Sequence, residues 1–278
     1  MPSPKLVSPN GRDITLQPVR TNAGVEAAYN KQLQRWIEMM HRSLIYFIQA
    51  QYRANPPPSL AQDAGWESFR DGSPANAMRR AMHRMSRRWL KAFDKGAEDL
   101  AKYFVDRAAG ATDLQLREVL KKAGFTVQFR TTADVNNAMQ AAIGENVGLI
   151  KSIASEHLTQ VEGIVMRSMQ NGRDLATLTK ELTERYDVTK RRASLIARDQ
   201  SNKMTAVINR TRQNELGITE AIWMHSHAGK EPRPSHVAAN GKRFDINKGM
   251  YLDGEWVLPG QAINCRCTSK SIIPGLND

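Results

Sequence analysis

Cysteine is nearly missing from this chain. Its 278 residues hold two, Cys265 and Cys267, with one arginine between them. A chain of this length can bury a core without covalent staples, so two thiols exclude a secreted disulfide framework and point to a reducing compartment. A disulfide across a single residue would be strained, which sets that pairing aside. Long apolar runs are also missing. The densest, Leu44-Ile45-Tyr46-Phe47-Ile48, is far short of the roughly 20 residues of a membrane span. The N-terminal stretch MPSPKLVSPNGRD is polar and proline-rich and has no apolar centre, so it does not read as a signal peptide. The expectation is a soluble, cytoplasmic protein with no membrane partner. There is no Gly-rich phosphate loop ending in Gly-Lys-Ser/Thr, no Gly-x-Ser-x-Gly elbow, no internal repeat and no low-complexity block. Carboxylate pairs such as Glu181 and Glu184 suit solvent as well as catalysis. The residue pattern therefore identifies no enzyme.

What the chain does have is positive charge. Forty Lys and Arg against 28 Asp and Glu leave a formal net charge of +12, which favours a polyanionic partner such as nucleic acid. Part of it is patterned. From Pro74 onward Met78, Met82, Met85, Trp89, Phe93 and Leu100 fall on one face of a helix, and Arg80, Arg84, Arg87, Arg88 and Lys91 occupy the remainder. These five cations are the candidate nucleic-acid contacts. No aromatic residues interleave them to stack bases, so the face suits phosphates and not sequence reading. A solvated helix face is the competing reading, and Lys190-Arg191-Arg192 is a weaker case of the same kind.

Periodicity gives a mainly α chain of long amphipathic helices with a small C-terminal α+β cap that contains a β-hairpin. Residues 1–22, with Pro2, Pro4, Pro9 and Pro18, read as an extended arm, either frayed or strapped onto a neighbouring subunit. Residues 23–130 form an N-terminal helical region. A first helix from Val25 to Phe47 and Ile48 stops at Asn55-Pro56-Pro57-Pro58. A second starts near Pro74, a short third runs from Thr112 or Asp113 to Lys122, and Phe125, Val127 and Phe129 alternate as a strand. Residues 131–218 are helical again. A stripe from Val147 to Met169 closes at Asn171-Gly172, Asp174 caps the next helix, Tyr186-Asp187 is a turn, and a long helix runs from Thr189 to Glu215 before Gly217. From 219 to 278 the helical period disappears. Ala221 to Met224 and Thr268 to Ile273 read as strands, and Asp253-Gly254 as the turn of a hairpin.

The cap concentrates the unusual residues: His225, His227 and His236 precede Cys265 and Cys267. Zinc takes imidazole and thiolate in a tetrahedron. On a strand His225 and His227 would share a face, as would the two cysteines, so two i, i+2 pairs on adjacent strands can build a metal site. Cys-x-Cys departs from the usual Cys-x₂₋₄-Cys spacing. Hydrogen-bonded histidines beside free thiols, and a nucleophilic cysteine with His236 as its base, remain open alternatives. No cofactor is required by the pattern, and zinc is the one it admits.

From about Asn146 to Ile273 an ordered set of motifs accumulates: Ala193-Ser194-Leu195-Ile196-Ala197-Arg198-Asp199, Asn209-Arg210-Thr211-Arg212, Gly217, Trp223, Arg233-Pro234-Ser235-His236, Asn240-Gly241-Lys242-Arg243-Phe244, Pro259-Gly260 and Asn264-Cys265-Arg266-Cys267. This set resembles the phage Mu F-like head morphogenesis family of minor capsid proteins. One departure is visible: where the family often reads Ala-Arg-Thr-Glu, this chain has Ala197-Arg198-Asp199-Gln200, its carboxylate shifted by one residue. The resemblance implies a virion component in the phage head, present in a few copies at the portal vertex and assembled in the bacterial cytoplasm. Its implied partners are the portal protein, a major capsid or scaffold protein, and packaged double-stranded DNA bound without sequence preference. It implies binding and assembly and no turnover, with Arg233, His236, Cys265, Arg266 and Cys267 holding the cap together, Arg233 reaching a carboxylate and His236 facing the thiols. The rival expectation from another class is a zinc-dependent nuclease or hydrolase built on His225, His227, His236, Cys265 and Cys267.

Overall fold

The computed structural model describes residues 5–9, 11–55, 73–172, 174–228 and 231–275. The proline stop at 56–58, the loop glycines at 65 and 72, and the prolines at 2 and 4 lie outside the described residues. Four long helices, α1 (Ala23–Ala54), α2 (Pro74–Lys122), α3 (Ala133–Gln170) and α4 (Leu175–Glu215), precede a region of short elements: β2 (Glu220–Met224), α5 (Pro234–Ala238), β3 (Arg243–Asp245), β4 (Met250–Leu252), β5 (Glu255–Val257) and β6 (Thr268–Ile273); β1 (Ile14–Thr15) lies ahead of α1. The chain is therefore mainly helical with a small C-terminal β-rich region, as its periodicity predicts. It divides into two compact units, one of residues 1–29, 102–144 and 197–278 and the other of 30–101 and 145–196.

The described secondary structure of the second unit is helical. Leu33, Ile37, Met40, Leu44 and Ile48 of α1, Met78, Met82, Met85 and Phe93 of α2, and Ile150, Ala154, Leu158, Val161 and Val165 of α3 are buried at the three- and four-residue steps that put them on single faces. The Trp36 ring meets Phe93 edge-on with centroids 5.3 Å apart. Gly96 is needed beside it, because a Cβ there would sit 2.4 Å from the Trp36 ring. Arg80, Arg84, Arg87, Arg88 and Lys91 are all exposed on α2, on the face away from its buried methionines.

Two helix boundaries differ from the periodicity reading. α2 runs through 112–113 without a break, so the expected short third helix is its last part. Thr112 donates its hydroxyl to the Ala108 carbonyl one turn back (2.8 Å), and the Asp113 carboxylate is taken by Arg212, so neither serves as a cap. α4 likewise runs through Tyr186-Asp187 with no turn. Neither residue breaks a helix, and the Tyr186 ring is used in packing, stacked on His41 at 4.2 Å. The Asp174 cap is as read, its carboxylate accepting the Thr177 N–H at 2.9 Å.

The first unit holds the sheet. Its order is β1-β6-β2-β3, every neighbour antiparallel, and β4 and β5 form a separate hairpin. The hairpin turn carries Asp253 (φ 52°) and Gly254 (φ 90°), the two positive values that a tight two-residue turn requires. Residues 125–129 are the third difference: Phe125, Val127 and Phe129 alternate in burial but pair with no strand among the described residues. They lie as an extended segment against a cluster of Leu16, Val19, Leu116, Leu120, Leu216, Ile218 and Ile273. The described residues of the N-terminal arm pack on their own chain. Leu16 and Val19 are buried, β1 pairs with β6, and the Gly275 N–H donates to the Asp13 carboxylate across 262 residues of sequence.

α4 is fixed in this unit by a buried cation. Arg212, only 2 % exposed, gives Nε and Nη2 to the two Asp113 oxygens at 2.8 and 2.7 Å, and Nη1 to Glu215 and the Arg130 carbonyl at 2.8 Å each, with its guanidinium 4.7 Å from the Phe129 ring centroid. Burial by itself disfavours this charge, but the hydrogen bonds it donates to Asp113 and Glu215 outweigh it and raise its pKa.

In the second unit His157 is fully buried. The Thr189 hydroxyl donates to the Arg185 carbonyl, so it accepts from His157 Nδ1–H (2.9 Å), and Nε2 is left buried without a partner. A proton on Nε2 would be a charge in an apolar site. Burial first, then His41 and Arg185, push the pKa from 6.5 down to about 4. The folded chain thus binds fewer protons than the unfolded chain between those values. The contribution of this group to stability is full above pH 6.5 and is lost as pH drops towards 4, by about 3 kcal/mol. His157→Gln should flatten that limb of a plot of urea midpoint against pH; an unchanged slope would refute the assignment.

Candidate functional site

Trp223 on β2 is fully buried, and the cap is built around it. Alternation along β2 turns Ala221 and Trp223 to one face, where they cluster with Ala239, Phe244, Ile246, Val257, Cys265 and Cys267. His236 reaches the same cluster from α5, whose first residue is Pro234, a residue suited by its fixed φ to open a helix. The rings of His236 and Trp223 meet edge-on with centroids 5.2 Å apart.

Three donor atoms converge there. His236 Nδ1 lies 3.5 Å from Cys265 Sγ and 3.7 Å from Cys267 Sγ, and all three atoms fall within 4.8 Å of one another. All three side chains are buried, and both cysteines are free thiols. The two thiols titrate as a pair. Cys265 is pulled down, chiefly by a hydrogen bond from the Cys267 thiol, with backbone N–H groups of Cys267 and Gly260 and the His236 charge adding to it against the cost of burial. Cys267 is pushed up by that same bond, by burial and by the charge on Cys265, against N–H groups of Ser226 and Trp223 directed at its sulfur. The Trp223 Nε1–H is buried and makes no hydrogen bond of full geometry.

The loop bearing the sulfurs is pinned from several sides. Asn264 sits at φ 58°, a left-handed conformation that asparagine tolerates better than most residues, and its N–H donates to Asp199 Oδ1 on α4. Asp199 Oδ2 pairs with Lys203 one turn on, at 3.1 Å. Gly260 (φ 81°) lies so close to α4 that a Cβ there would be 2.8 Å from Ala206 Cβ. Arg233 Nη2 donates to the Ile263 carbonyl at 3.0 Å, and the Ser235 hydroxyl meets Asp253 Oδ2 at 2.6 Å. At the other wall the Asn240 side chain accepts the His225 N–H (2.9 Å), and Gly241 (φ 81°) turns the chain so that its N–H reaches the Trp223 carbonyl at 2.8 Å.

His236, Cys265 and Cys267 therefore come together. Arg266, between the sulfurs, is half-buried. Arg233 holds a backbone carbonyl, and the carboxylate expected for it is not its partner. The paired-strand picture is corrected. β2 ends at Met224, so His225 and His227 lie beyond it, and His227 takes a left-handed φ of 51°. Its N–H donates to His225 Nδ1 at 3.2 Å, and the two rings meet edge-on, with centroids 4.7 Å apart. Neither joins the donor cluster. Burial, then the His227 charge, lower the His225 pKa, and Cys265 opposes them. The cysteines precede β6 and lie on a loop, not on a strand. Asp199, Asn240 and Asn264 appear in the sequence only as pieces of a motif; their work as loop anchors is set by backbone N–H groups that no side-chain pattern reports.

Residues 159–270 match the family model described as "Phage Mu protein F like protein". A Haemophilus influenzae protein named only "Uncharacterized protein" is 27 % identical over 277 residues, covering 96 % of this chain and 58 % of that relative, so the chain spans little more than half of its length. No solved structure matches.

Asp199→Ala removes the acceptor that holds Asn264 in its left-handed turn. The loss should be about 1–2 kcal/mol, with faster modification of Cys265 and Cys267 by a thiol reagent under native conditions. Unaltered thiol protection would mean that the loop is held without Asp199.

Proposed function

We propose that the chain is a minor head protein of a tailed bacteriophage that works by binding and assembly, not by turnover, because residues 159–270 match the family model described as "Phage Mu protein F like protein". It associates with the portal vertex in the virion, contacts the portal and a major capsid or scaffold protein, and supports head assembly, DNA packaging or genome delivery. The observation that carries this reading is the family match itself. Two further features suit it. The surplus of 12 positive charges, with five exposed cations along one face of α2, suits a protein close to packaged DNA. No described helix is long and apolar enough to cross a membrane.

The test is made on particles. Deleting the gene from its phage or prophage should leave heads that fail to form or to fill, and the polypeptide should be found at a few copies per purified virion. Filled, infectious virions that lack it would overturn the reading.

The DNA-binding role has its own test. Exchanging Arg80, Arg84, Arg87, Arg88 and Lys91 for Gln should weaken binding to duplex DNA of any sequence. It should also make the plot of log affinity against log salt shallower, by roughly 0.9 for each phosphate that these cations neutralise. A flat salt response of the unaltered protein would remove DNA from its partners.

A further inference from the structure

We propose that His236, Cys265 and Cys267 bind one thiophilic divalent ion, zinc by the chemistry of the donors, and that this ion fixes the C-terminal cap. The inference is independent of the phage assignment, since it rests on the cluster alone.

The distances carry it. In a tetrahedral zinc site with Zn–S near 2.3 Å and Zn–N near 2.0 Å, the edge between a sulfur and a nitrogen ligand is about 3.5 Å. The two sulfur–nitrogen separations here are 3.5 and 3.7 Å. Hydrogen bonding gives no reason for that equality. Imidazole Nδ1 offers one lone pair or one proton, so it serves one thiol well and not two. Two sulfurs nearly equidistant from one nitrogen are the arrangement expected around a shared central atom. The one-residue spacing, which forbids an easy disulfide, does not hinder coordination, because both sulfurs already point into the same pocket.

The surroundings suit two thiolates. Backbone N–H groups of Gly260 and Cys267 are directed at Cys265, and those of Ser226 and the Trp223 indole at Cys267. The Trp223 N–H is fully buried without a full hydrogen bond, and a thiolate held in place by a metal is an acceptor that would engage it. His225 stands outside the ligand set for a chemical reason. Its Nδ1 accepts the His227 N–H, so the neutral ring carries its proton on Nε2 and has no lone pair to give there. The fourth corner falls to water. Binding forms two Zn–S bonds and one Zn–N bond and releases thiol protons to solvent.

The experiment uses the full chain, purified without a histidine tag under reducing conditions. Elemental analysis should find one zinc per chain. Cobalt added to the chelator-stripped protein should give the near-ultraviolet thiolate charge-transfer band and the visible bands of a tetrahedral centre, and the thermal midpoint should fall on chelation and return with zinc. Cys265→Ser and Cys267→Ser should lose the ion, while His225→Ala and His227→Ala should keep it. Because the serine variants can fail to fold, zinc titration of the stripped unaltered chain against a competing chromophoric chelator decides the matter without them. No competition there, or no tetrahedral cobalt spectrum, overturns the proposal. Loss of zinc from His225→Ala as complete as from Cys265→Ser overturns the three-ligand assignment.

Discussion

Two sulfurs and one imidazole nitrogen share a buried space, and the C-terminal cap is organised by the need to make that acceptable. Polar groups withdrawn from water must find partners or be costly. His236, Cys265 and Cys267 arrive from α5 and from the loop ahead of β6, and each approach is fixed by hydrogen bonds to main chain: Arg233 on the Ile263 carbonyl, Asp199 on the Asn264 N–H, Asn240 on the His225 N–H. The apolar part of the cap, with Trp223 at its centre, fills in around them. The motif residues that surround the cysteines in sequence are mostly there to hold the chain in the turns that present the sulfurs.

The same unit solves a second problem of this kind on α4. Arg212 is a cation with almost no exposure, and it survives because Asp113, Glu215 and the Arg130 carbonyl use its donors. Removing one member of such a group leaves the others charged and buried, which costs more than the pair contributes when intact. α4 therefore carries an ion cluster near its end and the Asp199 anchor of the sulfur loop earlier along its length. The helix that looks like a long amphipathic span is also the beam from which the cap hangs.

Much of this was legible in the sequence, for reasons that differ element by element. Apolar residues at helical steps give α1, the start of α2 and the end of α4, because burial of one face is the force that forms those helices. Asp253-Gly254 gives the hairpin because two positive φ values leave few residue choices. The errors came where a local signal was used by a distant partner. Thr112-Asp113 looks like a cap, but Asp113 belongs to Arg212. Tyr186-Asp187 looks like a turn, but Tyr186 stacks on His41. Phe125, Val127 and Phe129 alternate like a strand but have no ladder to join. At the site, residue type grouped His225, His227 and His236 with the two cysteines, and the resemblance implied His236 facing the thiols. The exclusion of His225 and His227 was not foreseeable, because β2 ends at Met224, ahead of both, so strand alternation does not apply to them.

The sheet has β1 on its outside, held to β6. β1 must wait for β6, which follows it in the sequence only after four long helices, before that edge is satisfied. Closing so long a loop carries an entropic cost that local contacts do not repay until late. During that wait β6, once made, has one side open to any extended peptide, its own arm or that of a neighbouring copy. In a crowded assembly, the order in which the arm and its competitors arrive would decide whether the chain closes on itself or exchanges strands with the copy beside it.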